Sequence, residues 1–243
     1  MDLERENETL LIHGTDWNRL DITRLSDDLL LTNRIIDPDH HYSDYFHSSI
    51  VVSDDSKYFT VNGWRWSPVD SVIVYSVDDF LKQYEKCFKS IEMFDVFSGY
   101  NWDRPLCFMG NHSIVIGHNP NEGEDGAEKV PSEIFIYDIH KGEKGGFVKD
   151  IPIEHRVQFD GFHMDDEYGA QGNLFYDEET DYFIGLNKVT GLIITDRNGN
   201  VLKEDNHFNC YAYSSKDRLF YRDTFENGFK LEIIKLDELI DSK

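Results

Sequence analysis

The chain has 243 residues, 47 of them acidic and 24 basic, so its formal charge is -23. A charge of that sign and size repels phosphate backbones and anionic headgroups, which sets aside nucleic acid and membrane surfaces as partners. With 17 Phe, 13 Tyr and 4 Trp, 14 % of the chain is aromatic, and rings at this density favour pleated, half-buried strands.

The first residues, MDLERENETLLIHG, have no basic segment leading into an apolar one, and no apolar run reaches the length of a membrane span. A cytoplasmic location is therefore expected. Cys87, Cys107 and Cys210 lie far apart with no C-x-x-C pair, which signals neither a zinc site nor a disulfide framework.

In chain order, short β-rich runs alternate with polar turns. The N-terminal run offers TLLIH from Thr9, NRLDI from Asn18 and LLLTN from Leu29. Next, SSIVV from Ser48 passes through the turn SDDSK to YFTV from Tyr58 and then VIVYSV from Val72. The same succession recurs as PLCFM from Pro105, SIVIG from Ser113 and IFIYDI from Ile134, again as NLFYD from Asn173, YFIGL from Tyr182 and LIITD from Leu192, and last as CYAYS from Cys210, RLFYR from Arg218 and LEIIKL from Leu231. Weaker fourth strands are predicted at GGFVKD from Gly145 and NVLKED from Asn200. The turns carry D-D-S-K, G-N-H, E-E-T-D or S-K-D, whose side chains bond their own backbone and tolerate left-handed geometry. Asn198-Gly199 between LIIT and VLKE predicts a type I′ hairpin.

First strands at 48, 105, 173 and 210 are irregularly spaced, so two units carry insertions. In Val77 to Phe94, Phe80, Leu81, Tyr84, Cys87, Phe88 and Ile91 recur at three- and four-residue steps behind Asp78 and Asp79, which predicts a rim helix near 78–94. The second insertion, Asn119 to Ser132, is polar, punctuated by Gly and Pro, and reads as a loop. These units read as strand, tight turn, strand, loop, strand, the meander of a propeller blade. The expected fold is a single all-β domain over 1–243, a small β-propeller of about five degenerate blades.

From Asp44 to Leu81 the stretch DYFHSSIVVSDDSKYFTVNGWRWSPVDSVIVYSVDDFL, preceded by DWNRLDI at Asp16 to Ile22, resembles a group of uncharacterised bacterial WD40-like propeller proteins. The resemblance implies the fold and brings no biochemical activity with it. It also implies a further strand or blade ahead of TLLIHGTDWNRLDI, where Met1 to Glu8 is polar and reads as no strand. Three-stranded units are thus expected at both ends of the chain, meeting each other or leaving an open edge prone to pairing with another chain.

An aromatic-plus-Arg theme recurs at Trp17 and Arg19, at Trp64, Arg65 and Trp66, and at Trp102 with Arg104. Trp and Arg favour partner contacts, though large rings also dominate core burial. In Trp64-Arg65-Trp66 the two rings share one strand face, and Gly63 could form a bulge before them. Two acidic, histidine-bearing segments, Asp37 to His47 and His155 to Glu167, raise metal binding through His40, His47, His163 or Asp165, or acid and base chemistry through Asp160, His163, Asp165 and Asp166. Neither has complete ligand spacing, and Asp196 to Asn200 fails as a calcium loop because Gly199 falls at its fourth position. No metal and no cofactor are expected. The sequence thus points to a protein-binding or scaffolding module without catalysis, whose partner is basic. The alternatives are a propeller-type hydrolase or lactonase using the Asp and His clusters, and an acidic inhibitor or immunity-type protein that captures a basic partner.

Overall fold

The computed structural model describes residues 2–5, 8–16, 18–32, 45–65, 69–82, 93–99, 104–118, 132–139, 153–161, 163–165, 169–208, 210, 212–224 and 230–241. Over the described residues the fold is all-β, built of small antiparallel sheets with two short helices. The first sheet runs in the order β1 (Asp2–Arg5), β2 (Glu8–Asp16), β3 (Arg19–Arg24), β4 (Leu29–Leu30). The second follows as β5 (Tyr45–Val52), β6 (Tyr58–Arg65), β7 (Val69–Ser76), β8 (Met93–Gly99), with α1 (Val77–Lys82) after β7. The third has β9 (Leu106–Met109), β10 (Ser113–His118), β11 (Glu133–Asp138) and β12 (Ile153–Gln158), and a hairpin of β13 (His163–Asp165) and β14 (Gly169–Gln171) comes next. The fourth is β15 (Asn173–Asp177), β16 (Tyr182–Asn187), β17 (Gly191–Asp196), β18 (Val201–Asp205). The last holds three strands, β19 (Ala212–Ser214), β20 (Leu219–Thr224) and β21 (Lys230–Lys235), followed by α2 (Leu236–Asp241).

Several expectations need correction. Asp2–Arg5 is a strand after all: all four of its residues pair with β2, from Asp2 opposite Leu11 to Arg5 opposite Glu8, so backbone pairing rather than apolar alternation defines it. The first sheet therefore has four strands, while the last has three, as expected. The predicted helix is described from Val77 to Lys82, and residues 83–92 lie outside the described residues. Met93 and Phe94, however, extend and pair with Tyr75 and Val74, because their rings and thioether suit a strand beside β7 as well as a helix face. Gly145 to Asp150 and most of Asn119 to Ser132 also lie outside the described residues; among the described strands, β12 pairs with β11.

The predicted turn chemistry recurs in the backbone. Ser56, Asp181 and Arg218 adopt φ of 56°, 61° and 56°, and Gly110 adopts 64°, each closing a tight β–β turn. At Asn198-Gly199 only Gly199 is left-handed, with φ 87°, so the hairpin forms but is not type I′. The Asp196 carboxylate accepts from Asn198 N (2.8 Å), Asn200 N (2.9 Å) and Asn200 Nδ2 (2.7 Å), which favours a three-residue loop with a single left-handed residue.

The chain forms two compact units: Met1–Asp103 with Gly110–Ser113 and Tyr137–Ile153, and Arg104–Met109 with Ile114–Ile136 and Glu154–Lys243. In the first, alternate residues Leu10 and Ile12 of β2 and Leu20 and Ile22 of β3 meet Tyr45, Phe59, Val61, Ile73 and Tyr75 of the second sheet. Ser76 begins α1, its Oγ accepting from Asp79 N (3.4 Å) with Asp78 and Asp79 in the first turn, as suits a helix start. The helix sets Phe80 edge-on to Phe59 (5.2 Å) and Tyr75 (5.5 Å). Tyr45 turns its hydroxyl inward to within 2.9 Å of Val61 O and 2.7 Å of Ser71 O. That packing requires glycine at 63, where a Cβ would stand 2.1 Å from Phe46 O and 2.6 Å from Tyr45 Cζ. The bulge falls opposite it on β5, between His47 and Ile50, and not at Gly63 itself.

In the second unit β16 and β17, the central strands of the fourth sheet, are buried on both faces. Phe183 and Ile193 point to a core shared with Cys107, Val115, Ile134, Ile136, Val157 and Phe159. Ile184, Leu186, Leu192 and Ile194 point the other way, onto Phe208, Tyr213, Phe220 and Leu236. Asp177, almost wholly buried, accepts from Arg218 Nε at 2.9 Å and from Tyr213 Oη at 3.3 Å, and Arg218 reaches on to Asp237 at 2.9 Å.

Because the atoms crowding position 63 are backbone and a buried ring, Gly63→Ala is expected to lower stability by about 2–4 kcal/mol. Gly14→Ala adds a methyl whose nearest neighbour is Arg19 O at 3.9 Å, and is expected to stay within about 0.5 kcal/mol of wild type. Urea unfolding of the two variants side by side checks both.

Candidate functional site

Among the described residues a cleft of about 290 Å³ is lined by Asp160, Gly161, Val189, Thr190, Ile193, Glu204 and Asn206, all in the second unit. Four segments build it: the residues after β12, the β16–β17 turn, β17, and the end of β18. The turn is held by Asn187, whose Oδ1 accepts from Val189 N at 2.7 Å and from Thr190 N at 3.3 Å. Ile193 is on the face of β17 that looks toward Phe159, which leaves its side chain as a nearly buried floor. Gly161 lets the chain cross that floor, since a Cβ there would lie 2.3 Å from Ile193 Cγ2.

Two exposed carboxylates rim the cleft. Asp160 Oδ2 accepts from Gln158 Nε2 at 3.1 Å. Glu204 Oε1 and Thr190 O both accept from the Asn206 amide, each at 3.2 Å, when that amide is oriented to donate. Val189, 62 % exposed, forms an apolar wall. Carboxylates above an aliphatic floor suit a ligand with a cationic head on a hydrocarbon stem, because the stem covers Ile193 and Val189 while the head meets the charge.

The sequence-predicted residues do not converge here. Arg19 is paired to the buried Asp21 at 2.7 Å, and Asp21 also accepts from Thr32 Oγ1 at 2.8 Å and from Thr15 Oγ1. Trp64 stacks on Phe46 with centroids 4.1 Å apart and planes 7° from parallel. Arg104 is 2 % exposed and donates to Gly117 O at 3.1 Å. Arg65 is described in its backbone alone, and Trp17, Trp66 and Trp102 lie outside the described residues. So do His40, His41 and Asp166. His47 lies in β5, edge-on to Tyr45 at 5.0 Å, while His163 and Asp165 are described only as backbone of β13. Of the described metal- or acid-base candidates in the acidic, histidine-bearing segments, Asp160 enters the cleft. Its companions Thr190, Glu204 and Asn206 reach it only through strand pairing and carry no linear signal.

Two thiols and one imidazole outside the cleft have altered acidity. Burial pushes the thiol of Cys107 well above its usual range, and that of Cys210 upward, so neither is a ready thiolate. His118 lies against Phe135 at 4.4 Å, and the Arg156 guanidinium sits 4.8 Å over the same ring. Burial, then the charges of Arg104 and Arg156, bring the imidazole down to about 4 from 6.5. Between those two values the unfolded chain binds a proton that the folded chain does not, so His118 costs stability as pH falls from 6.5 to 4, and the cost levels off below 4. Allowing for its partial exposure, the loss is about 1 kcal/mol. His118→Phe keeps the ring contact and is expected to flatten this part of the profile, which denaturant unfolding at pH 7.5 and 4.5 measures.

Compared with known proteins, the chain matches no protein-family model and no curated protein.

Proposed function

We propose that the protein is a non-catalytic binding module, its meander sheets acting as blades of a small propeller, and that the cleft of Asp160 and Glu204 receives a lysine or arginine side chain of a basic protein partner. The observation that carries this reading is the placement of two solvent-facing carboxylates over the apolar floor and wall of Ile193 and Val189. The net charge of -23 supports it, because an acidic surface draws in a basic partner before any contact forms. The WD40-like resemblance of Asp44 to Leu81 agrees with a rigid module that presents loops, the usual carriers of recognition. Among its lining residues the cleft has no His, Cys or Lys beside its carboxylates, which leaves Asp160 with an amide partner instead of a base.

Calorimetric titration with a Lys/Arg-rich peptide tests the proposal. Binding is expected to weaken as salt rises from about 0.05 to 0.3 M, since exposed charges are screened over about 8–10 Å near physiological ionic strength. The double variant Asp160→Asn, Glu204→Gln is expected to bind about three- to tenfold more weakly, the worth of two exposed ion pairs. Both side chains are at the surface, so the melting temperature should not move. Equal affinity in the double variant, or affinity unchanged by salt, would rule out the cleft.

A further inference from the structure

Four of the five meander sheets carry four strands, whereas β19–β20–β21 carries three. Among the described residues, no strand pairs with the far side of β21. The state of that edge follows from the ladder. Leu236 N donates to Arg218 O at 3.0 Å, which makes residues 218 and 236 a hydrogen-bonded pair. Antiparallel pairs alternate, so in the observed register Phe220 with Ile234 and Arg222 with Glu232 are hydrogen-bonded, while Leu219 with Lys235, Tyr221 with Ile233 and Asp223 with Leu231 are not. Leu231, Ile233 and Lys235 therefore turn their N–H and C=O groups outward, toward the open edge.

The same three residues put their side chains on the uncovered face of the sheet. Leu231 is 49 % and Ile233 56 % exposed, while the opposite face holds Tyr213, Phe220 and Ile234 in the core. An apolar strip and a row of free backbone groups thus coincide on one strand. A partner that satisfies both must be an extended strand with apolar side chains on the matching face.

We infer that β21 is a homodimer interface, pairing antiparallel with β21 of a second copy about a two-fold axis at Ile233. Self-pairing must set outward-facing residues against outward-facing residues, which leaves few registers. An axis at Glu232 opposes that carboxylate to its own copy and one at Lys235 opposes that lysine to its own copy, and like charges directly opposite are unfavourable; an axis at Leu231 or Ile234 leaves only three residues of β21 to pair, against five for an axis at Ile233. Centred on Ile233, the pairing sets Ile233 against Ile233, Leu231 against Lys235 and Glu232 against Ile234, with no like charges opposed. Across the joined sheets this gives an apolar row Tyr221–Ile233–Ile233–Tyr221. Glu232 is already neutralised by Arg222 at 2.5 Å, and the Lys235 stem can lie over Leu231 of the other copy. The interface is isologous, so it closes at two chains instead of growing into a fibre.

Sedimentation equilibrium tests this on the full chain, with crosslinking to read the register. A dimer is expected whose fraction grows with protein concentration and also with salt, because each copy has a charge of -23 that screening relieves. This salt response is opposite to that of a basic partner in the Asp160–Glu204 cleft, so the two proposals stand or fall separately. Ile233→Lys sets two ammonium groups against each other and is expected to raise the dissociation constant at least about tenfold, with an unchanged melting temperature at concentrations where the wild-type chain is monomeric, because the side chain is solvent-facing in the single chain. In a Cys87→Ser background, Ile233→Cys is expected to crosslink on oxidation, since opposed hydrogen-bonded residues have Cα atoms about 5.5 Å apart, within disulfide range. Leu231→Cys, opposite Lys235, is expected not to. A chain that remains monomeric in high salt overturns the inference and leaves the edge to a strand of another protein. Undiminished association of Ile233→Lys, or equal crosslinking of the two cysteine variants, overturns it as well.

Discussion

The second unit depends on two central strands, β16 and β17, that have no solvent face. β16 and β17 send alternate side chains into two separate cores, and at about 1.5–3 kcal/mol for each fully buried aliphatic or aromatic side chain these cores dominate the local energetics. A strand with one wet face fixes its own register, because a slip by one residue would drown its apolar set. Here both sets are apolar, and polarity cannot perform that selection. The turns do so instead. Asp177 and Thr180 close β15 onto β16, with Asp181 left-handed, and Asp196 gathers three donors at the far end of β17. Next to that turn the ladder slips by one residue between Ile194 and Thr195, which absorbs the mismatch where β18 begins.

Electrostatics divides the molecule in a related way. Several arginines are engaged within the fold: Arg19 holds buried Asp21, Arg24 bridges Glu8 and Asp27, Arg218 spans Asp177 and Asp237, and Arg222 grips Glu232 across strands. Burial and the neighbouring Asp177 also push the Tyr213 phenol upward, so it stays a neutral donor to that carboxylate. Cations spent on internal carboxylates do little to offset the exterior, and the field that reaches solvent is that of the remaining acids. A cleft edged by Asp160 and Glu204 is one local expression of this imbalance.

Much of the fold is legible in the sequence where two signals agree, an apolar run of four to six residues and a turn rich in Asp, Ser or Gly at its end. LFYD-EET-DYFIGL is such a case, and so are SSIVV and YFTV on either side of SDDSK. The strands that escape notice lack one signal. DLER has charges where alternation should be, MFDVFSG continues the spacing of the helix before it, and the short β13–β14 hairpin hides among histidines and aspartates that suggest chemistry. The cleft was less legible still. Asp160 stands out in a segment dense with acids, but Thr190 and Asn206 are ordinary turn residues whose adjacency is created by β17 folding back on β18.

Arg218 combines two duties that no other side chain among the described residues performs together. Its backbone sits at φ 56°, where glycine or asparagine would be at ease, while its guanidinium joins a buried carboxylate to the helix that follows β21. Glycine would relax the turn and abandon the buried charge; lysine would keep a charge but lose the fork that serves two acids at once. Neither step away from arginine therefore satisfies both the turn and the buried carboxylate. A position caught between local and global demands in this way drifts slowly, and it resists the consensus and turn-optimising substitutions by which small β proteins are ordinarily made more stable.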